Sequence, residues 1–236
     1  MLAWAVPLVL KTSTRPLRLR SDGAELFAGV LGATDLAGLV LALAGHAADQ
    51  AGVRLYGIEP LRPLLAPEGP AGSIAAQQLG AAARPVRAIL FDKTAETNWA
   101  LGWHQDRVIA VGERIETPGF GPWTRKHGAL HVAPPFELLA RMITLRVHLD
   151  PVPAANAPLL VAPGSHRLGL VPQGEIAGVV ERCGTAACLA EAGDVWAYST
   201  PILHASERAQ TPAHRRVLQV DYAAEDLPAG LEWLGV

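Results

Sequence analysis

From about residue 84 onward, short apolar or alternating runs recur along the chain, most of them bounded by Gly, Pro, Asn or Asp. They cover residues 86–91 (apolar except for Arg87), 108–111, 143–149, 159–161, 195–198 and 217–222. Runs of this length between turn residues predict strands. Many short strands predict a sandwich or barrel rather than a parallel α/β sheet. In 143–149, Thr144, Arg146 and His148 alternate with Leu145, Val147 and Leu149. That is a strand with one polar face, suited to lining a barrel interior. Ahead of residue 84 the texture differs. Residues 22–50 are rich in Ala and Leu and predict a helix starting near Ser21 or Asp22. Residues 57–70 hold Pro60, Pro63, Pro67 and Pro70 and predict a loop, and 72–81 predict a second helix. These helices should cover one outer face of the β core. No repeat or linker composition breaks the chain, so 1–236 is expected to be a single domain, a helical and loop flank over about 1–83 followed by a β core over 84–236.

Composition narrows the classes. With 50% hydrophobic and 18% charged residues, the chain has the material for a sizeable core and is not a disordered one. A net charge of −2 gives no sign of a nucleic-acid partner. The basic run Lys11, Arg15, Arg18 and Arg20 reads as a solvated stretch. Cys183 and Cys188 are too few for a disulfide scaffold or a four-ligand zinc site, and read as ordinary thiols of a reducing compartment. The first ten residues look faintly like a signal peptide, but a positive n-region and a small-residue cleavage site are missing. The longest membrane-like stretch, 36–48, is broken by Gly38, Gly45 and His46. A cytoplasmic protein without a membrane partner is expected.

Two of the eight histidines stand two residues before an aspartate, in His104-Gln-Asp106 and His148-Leu-Asp150. In a strand, residues two apart share a face, so either pair could offer a nitrogen and a carboxylate to one metal. A third ligand from a distant strand would complete a two-histidine, one-carboxylate set with open positions, which suits iron(II) oxygenases. His204 follows the turn and strand Gly193-Asp-Val-Trp-Ala-Tyr198, and Arg215 stands eleven residues later at the head of the next strand. A guanidinium facing the same cavity could hold the far end of a dicarboxylate.

Several of these pieces together resemble the phytanoyl-CoA dioxygenase family: Phe91-Asp-Lys-Thr94, Asn98-Trp99, Trp103-His-Gln-Asp106, Pro163-Gly-Ser-His166, His204-Ala-Ser206 and Arg215-Arg216. The resemblance runs from about Val86 to Trp233, well over half of the chain. It implies a mainly β fold, a double-stranded β-helix of the jelly-roll or cupin-like kind with N-terminal helices alongside. It implies an iron(II)- and 2-oxoglutarate-dependent dioxygenase using O2, which hydroxylates a small molecule and releases succinate and CO2. It assigns His104, Asp106 and His204 to the metal, and Arg215 to the distal carboxylate of 2-oxoglutarate with Ser206 beside it. Lys93 is implied as a contact of cosubstrate or substrate, and His148 and Asp150 receive no metal role.

Other readings stay beside this one. His166 reads as a turn residue, and His46, His127, His131 and His214 as surface or capping residues. Trp99, Trp103 and Trp123 divide between site wall and core. Arg146, a charge inside an apolar strand, should meet Asp150, another carboxylate or an acidic ligand. The competing functions are a non-catalytic metal-binding β-barrel protein and a cupin-like hydrolase or isomerase. Glu207, three after His204, keeps the last open.

Overall fold

The computed structural model describes residues 15–46 and 52–236. Lys11 and the leader-like first ten residues lie outside the described residues. The N-terminal flank contains helices α1 (Leu19–Asp22), α2 (Ala33–Leu43), α3 (Arg62–Leu65) and α4 (Gly72–Leu79). It also contains two strands, β1 (Ala24–Phe27) and β2 (Val53–Leu55). The single helix expected over 22–50 is therefore replaced by a short helix, a strand and a second helix. Gly23, at φ 80°, ends α1 in the left-handed region. A side chain there would also meet the His166 ring at 2.3 Å, so only glycine fits. Past this break, β1 pairs with a later strand from Ala24↔Tyr198 to Phe27↔Val195, and long-range pairing overrides local helix propensity. The proline-rich stretch expected as loop holds the 3-10 turn Glu59–Leu61 and α3, each with proline in its first turn, where no N–H is needed. Residues 72–81 are helical as expected, over Gly72–Leu79.

The β core follows: β3 (Arg84–Lys93), β4 (Leu101–His104), β5 (Ile109–Val111), β6 (Trp123–Lys126), β7 (Ala129–Val132), β8 (Ile143–His148), β9 (Leu159–Val161), β10 (Ala186–Cys188), β11 (Val195–Ser199), β12 (His204–Ser206) and β13 (Arg215–Ala223). Every strand run expected from the sequence lies on one of these. The large sheet has the order β1-β11-β8-β13-β3-β2, a second sheet the order β10-β9-β12-β4, and a third the order β5-β7-β6. All the strand pairs are antiparallel, so the fold is mainly β, with the sheet-on-sheet arrangement of a double-stranded β-helix.

The period of two sorts the large sheet into two faces. Outward, Leu145, Val147, Leu218, Val220 and Tyr222 share one apolar cluster with Leu39 and Leu43 of α2, Leu61, Leu65 and Ile74. The flank thus covers the outer face, as the pattern suggested. Leu61, Leu65, Leu145 and Leu218 are each 1% exposed or less, and burying each contributes about 2 kcal/mol. Inward, the same strands present Arg87, Thr144, Arg146, His148, Gln219 and Asp221, all buried. A polar interior enclosed by two sheets is a binding chamber rather than a core. Among the described residues no helix is long and apolar enough to cross a membrane, and both cysteines are free thiols. Arg15, Arg18 and Arg20 of the basic run are exposed, as expected, with Arg15 also pairing with Asp22 and Arg18 with Glu25.

Candidate metal centre

His104 ends β4 and His204 opens β12, and the register pairs them across the two strands. Their rings stand 4.3 Å apart between centroids. His104 Nδ1 donates to the Gly102 carbonyl at 2.8 Å, and His204 Nδ1 donates to the Ile202 carbonyl at 2.9 Å. A carbonyl only accepts, so each Nδ1 carries the proton and each Nε2 keeps its lone pair for a metal. Asp106 joins them: one ligand atom from each of His104, Asp106 and His204 lies within 4.8 Å of the others. Two neutral imidazoles and one carboxylate on one wall, with the opposite side open to the cavity, fit a non-haem iron(II) ion. Among the described residues no other group of three potential ligands converges in this way.

The sequence between the ligands explains how they come to face one point. Gln105, between His104 and Asp106, turns away and is buried. Its amide donates to the Gly169 and Pro201 carbonyls at 2.9 and 2.8 Å, and its oxygen accepts the Val171 N–H at 2.9 Å. The H-x-D segment is thus clamped to the loop after Pro163-Gly-Ser-His166. Within the Pro163–His166 motif itself Ser165 Oγ accepts the Leu203 N–H at 2.9 Å, bracing the residue before His204. The loop motif positions a ligand strand, and His166 itself sits in the 3-10 turn Ser165–Arg167.

Asp106 is held by a buried relay. Arg87 Nη2 stands 3.4 Å from Asp106 Oδ2, and Arg87 Nε donates to Asp221 Oδ2 at 2.5 Å. Thr144 Oγ1 donates to the other Asp221 oxygen at 2.9 Å. Burial works against ionising Asp106, but Arg87 foremost, with His204, His104 and Lys126, holds its carboxyl below the usual range. It is therefore the anion a metal ligand must be. Arg87, Thr144 and Asp221 escaped sequence reasoning as site residues. The signal was available as charges at Arg87 and Asp221 inside otherwise apolar strands.

The centre opens into a cavity of about 520 Å³ whose lining includes Phe91, Trp99, Ser206, Gln219, Arg146 and Arg215. Arg215 is 2% exposed, donates from Nη1 to the Ala157 carbonyl, and keeps Nε without a partner. Burial, and then Arg146, lower its pKa to about 9, which leaves it protonated at neutral pH. Of the partners expected for Arg146, Asp150 is excluded. Asp150 accepts from the Arg216 backbone and guanidinium at 2.7–2.9 Å, because the chain leaves β8 after His148 and the strand alternation stops there. Arg146 instead donates to Gln219 Oε1 at 2.9 Å and lies 5.3 Å over the Phe91 ring. Among the described residues it forms no ion pair with a carboxylate, and its Nε is buried without a partner.

Lys93 is fully buried and does not line the cavity. Its ammonium donates to the Trp99 and Glu207 carbonyls at 2.7 Å each and to Ser206 Oγ at 3.4 Å. Burial, followed by Arg215, Arg146 and Arg208, brings it down to about 7. Trp99 lines the cavity, while Trp103 and Trp123 pack in side clusters. Glu207 is exposed. His131, expected at the surface, is fully buried on β7: its alternation partners Leu130 and Val132 face the neighbouring core, and it fills the other face.

His131 and His148 give the protein an acid limit. Burial pushes them down to about 4 and about 3 respectively. An unfolded histidine titrates near 6.5. Below that pH the unfolded chain binds protons that the folded one refuses, so stability present above pH 6.5 is lost as pH falls toward 4. The two groups together should cost about 2–3 kcal/mol per pH unit in that window. Urea midpoints of the metal-free protein at pH 7.5, 6 and 5 would read this, and equal midpoints would contradict it.

A family model described as Phytanoyl-CoA dioxygenase (PhyH) matches residues 65–217. No curated protein matches the chain in sequence. Among solved structures, EctD from S. alaskensis in its apoform is 21% identical over 92% of this chain and 78% of its own, with a TM-score of 0.65. HygX from Streptomyces hygroscopicus with nickel and 2-oxoglutarate bound is 15% identical over 87% and 84%, with a TM-score of 0.59. SnoN, an epimerase from nogalamycin biosynthesis, solved with Fe3+, alpha ketoglutarate and nogalamycin RO, is 19% identical over 90% and 88%, at 0.60. These likenesses establish a shared fold.

Proposed function

The chain belongs to the phytanoyl-CoA dioxygenase family, and from that premise we propose that it is an iron(II)- and 2-oxoglutarate-dependent dioxygenase that hydroxylates a C–H bond of a small molecule. The observation that carries the reading is the coincidence, in one cavity, of the His104, Asp106 and His204 donor set with the buried guanidinium of Arg215. A purely structural metal site has no use for a buried cation aimed at a dicarboxylate, and a hydrolase would more naturally add a third histidine or a glutamate.

When bound, iron and 2-oxoglutarate supply oxygen activation coupled to decarboxylation, with succinate and CO2 as co-products. The protein's part is position and charge. His104, His204 and Asp106 would hold the ion from one wall and leave the cavity side open. Arg215 would take the distal carboxylate, with Ser206 beside it. Arg146, poised over Phe91 and lacking a carboxylate of its own, would add a second guanidinium along the same dicarboxylate. Lys93 would act at one remove, tying the lead-in to β4 and the exit of β12 to β3 through its carbonyl contacts.

The test is an anaerobic titration of the iron(II)-loaded protein with 2-oxoglutarate, followed through the visible metal-to-ligand charge-transfer band, and then succinate formation in air. Wild type should develop the band. Arg215→Ala should need about 100-fold more 2-oxoglutarate, and Arg146→Met about tenfold more, the scale of losing a charge-assisted pair. A folded, iron-loaded wild type that shows no band and forms no succinate would end this reading.

A further inference from the structure

The cavity carries more positive charge than the metal and one dicarboxylate require. Among the described residues six of its lining side chains are cationic (Arg54, Arg87, Arg107, Lys126, Arg146 and Arg215) and Asp106 is the one acid. Most have an assignment. Arg87 is committed to Asp221 and Asp106, and Arg107 donates to the Val171 carbonyl. Arg215 and Arg146 face the dicarboxylate in the reading above. Arg54 and Lys126 are left over. Among the described residues neither makes an ion pair or a side-chain hydrogen bond, and Arg54 Nε is buried without a partner. Arg54 is half-buried, and a buried donor such as its Nε is costly unless a ligand satisfies it, while Lys126 is an exposed cation of the same lining.

Their place in the fold separates them from the cosubstrate end. Arg54 on β2 stands opposite Ile89 of β3, whereas Arg215 on β13 stands opposite Lys93, four residues farther along the same strand. At ~3.3 Å per residue the two positions lie about 13 Å apart along the sheet. Ile89, opposite Arg54, is two residues from Arg87, which reaches Asp106 at 3.4 Å, so Arg54 lies on the Asp106 side of the centre. Lys126, at the end of β6, lines the same cavity and favours the Asp106 anion. The approach of β2 to this wall depends on Gly52, where a side chain would meet the Phe91 ring at 2.9 Å.

We propose that the substrate is a small organic acid whose anionic group, a carboxylate or a phosphate, is held by Arg54 and Lys126 on the Asp106 side of the centre, at the end of the cavity away from Arg215. This rests on the oxygenase reading for its meaning but not for its test. The cavity then has two cationic poles with the metal ligands between them. The substrate's acid sits at one pole and the dicarboxylate's distal end at the other, with the substrate's carbon chain crossing in front of the metal.

The test uses hexanoate and hexyl phosphate against hexanamide and hexan-1-ol, chains short enough for the cavity. Binding is followed by fluorescence of the cavity tryptophan, first in metal-free protein and then anaerobically with iron(II) and 2-oxoglutarate. At least one acid should bind wild type about tenfold more tightly than its neutral counterpart, and should still do so with 2-oxoglutarate in place. The preferred headgroup identifies which anion the pole takes. In Arg54→Met/Lys126→Met the preference should vanish while 2-oxoglutarate affinity stays within about twofold, since one charge pole is removed and the other kept. No acid preference in wild type, a preference that survives the double substitution, or an acid displaced by 2-oxoglutarate would each overturn the proposal. Failure of wild type to take 2-oxoglutarate while the acid preference holds would defeat the oxygenase reading alone.

Discussion

Asp106→Ala is expected to lower iron(II) affinity at least about 100-fold and to abolish 2-oxoglutarate turnover, in a protein that still folds. Among the described residues Asp106 is the one acid lining the cavity, and its carboxylate is the only anionic ligand they offer the ion. His104 and His204 alone would give the metal two neutral donors surrounded by arginines, an environment that repels a cation. Stability should change little. Asp106 is not the main partner of Arg87, whose short contact is with Asp221 at 2.5 Å against 3.4 Å to Asp106. Anaerobic calorimetry of metal binding beside a urea melt separates the two effects. A folded Asp106→Ala protein with wild-type metal affinity would remove the metal assignment.

Arg87→Met should be the most destabilising single change in the site, by about 3–5 kcal/mol, because it strands Asp221. That carboxylate is buried and would keep only the Thr144 hydroxyl. The charge it leaves behind is costly, whereas the pair as a whole is not strongly stabilising. Adding Asp221→Asn to Arg87→Met should therefore recover roughly half of the loss. Metal affinity should fall about 10- to 100-fold in both variants, since Asp106 loses the guanidinium that orients it and keeps it ionised. Denaturant melts of the single and double variants decide the point. A loss under about 1 kcal/mol in Arg87→Met would show that the relay is not under load.

Strands with strong alternation could be read before folding, and the reading went further than location. The polar face of residues 143–149 was recognisable as an interior face, and its members Thr144, Arg146 and His148 do point inward. The partners of that face were not recognisable. Arg146 was expected to meet Asp150, another carboxylate or an acidic ligand, and of these the first is excluded. The chain bends after His148 and hands Asp150 to Arg216. Short strands with little hydrophobic signal were also invisible. Residues 24–27 read as helix because Ala and Leu surround them, and only pairing with β11 makes them a strand.

What the sequence determined by itself was the alphabet of the site. Two H-x-D pairs, a later histidine and an arginine eleven beyond it offered the pieces of a metal-and-dicarboxylate chemistry, because ligand type and strand period are local properties, and the family resemblance singled out His104, Asp106, His204 and Arg215 among them. What the tertiary structure alone decided was which charges are satisfied. Arg87 finds Asp221 across a register of antiparallel strands, Gln105 finds a loop more than sixty residues away, and Arg54 and Lys126 find no partner among the described residues. Pairing of that kind is set by sheet order and chain bends, which bring distant residues together, and no spacing along the chain encodes it.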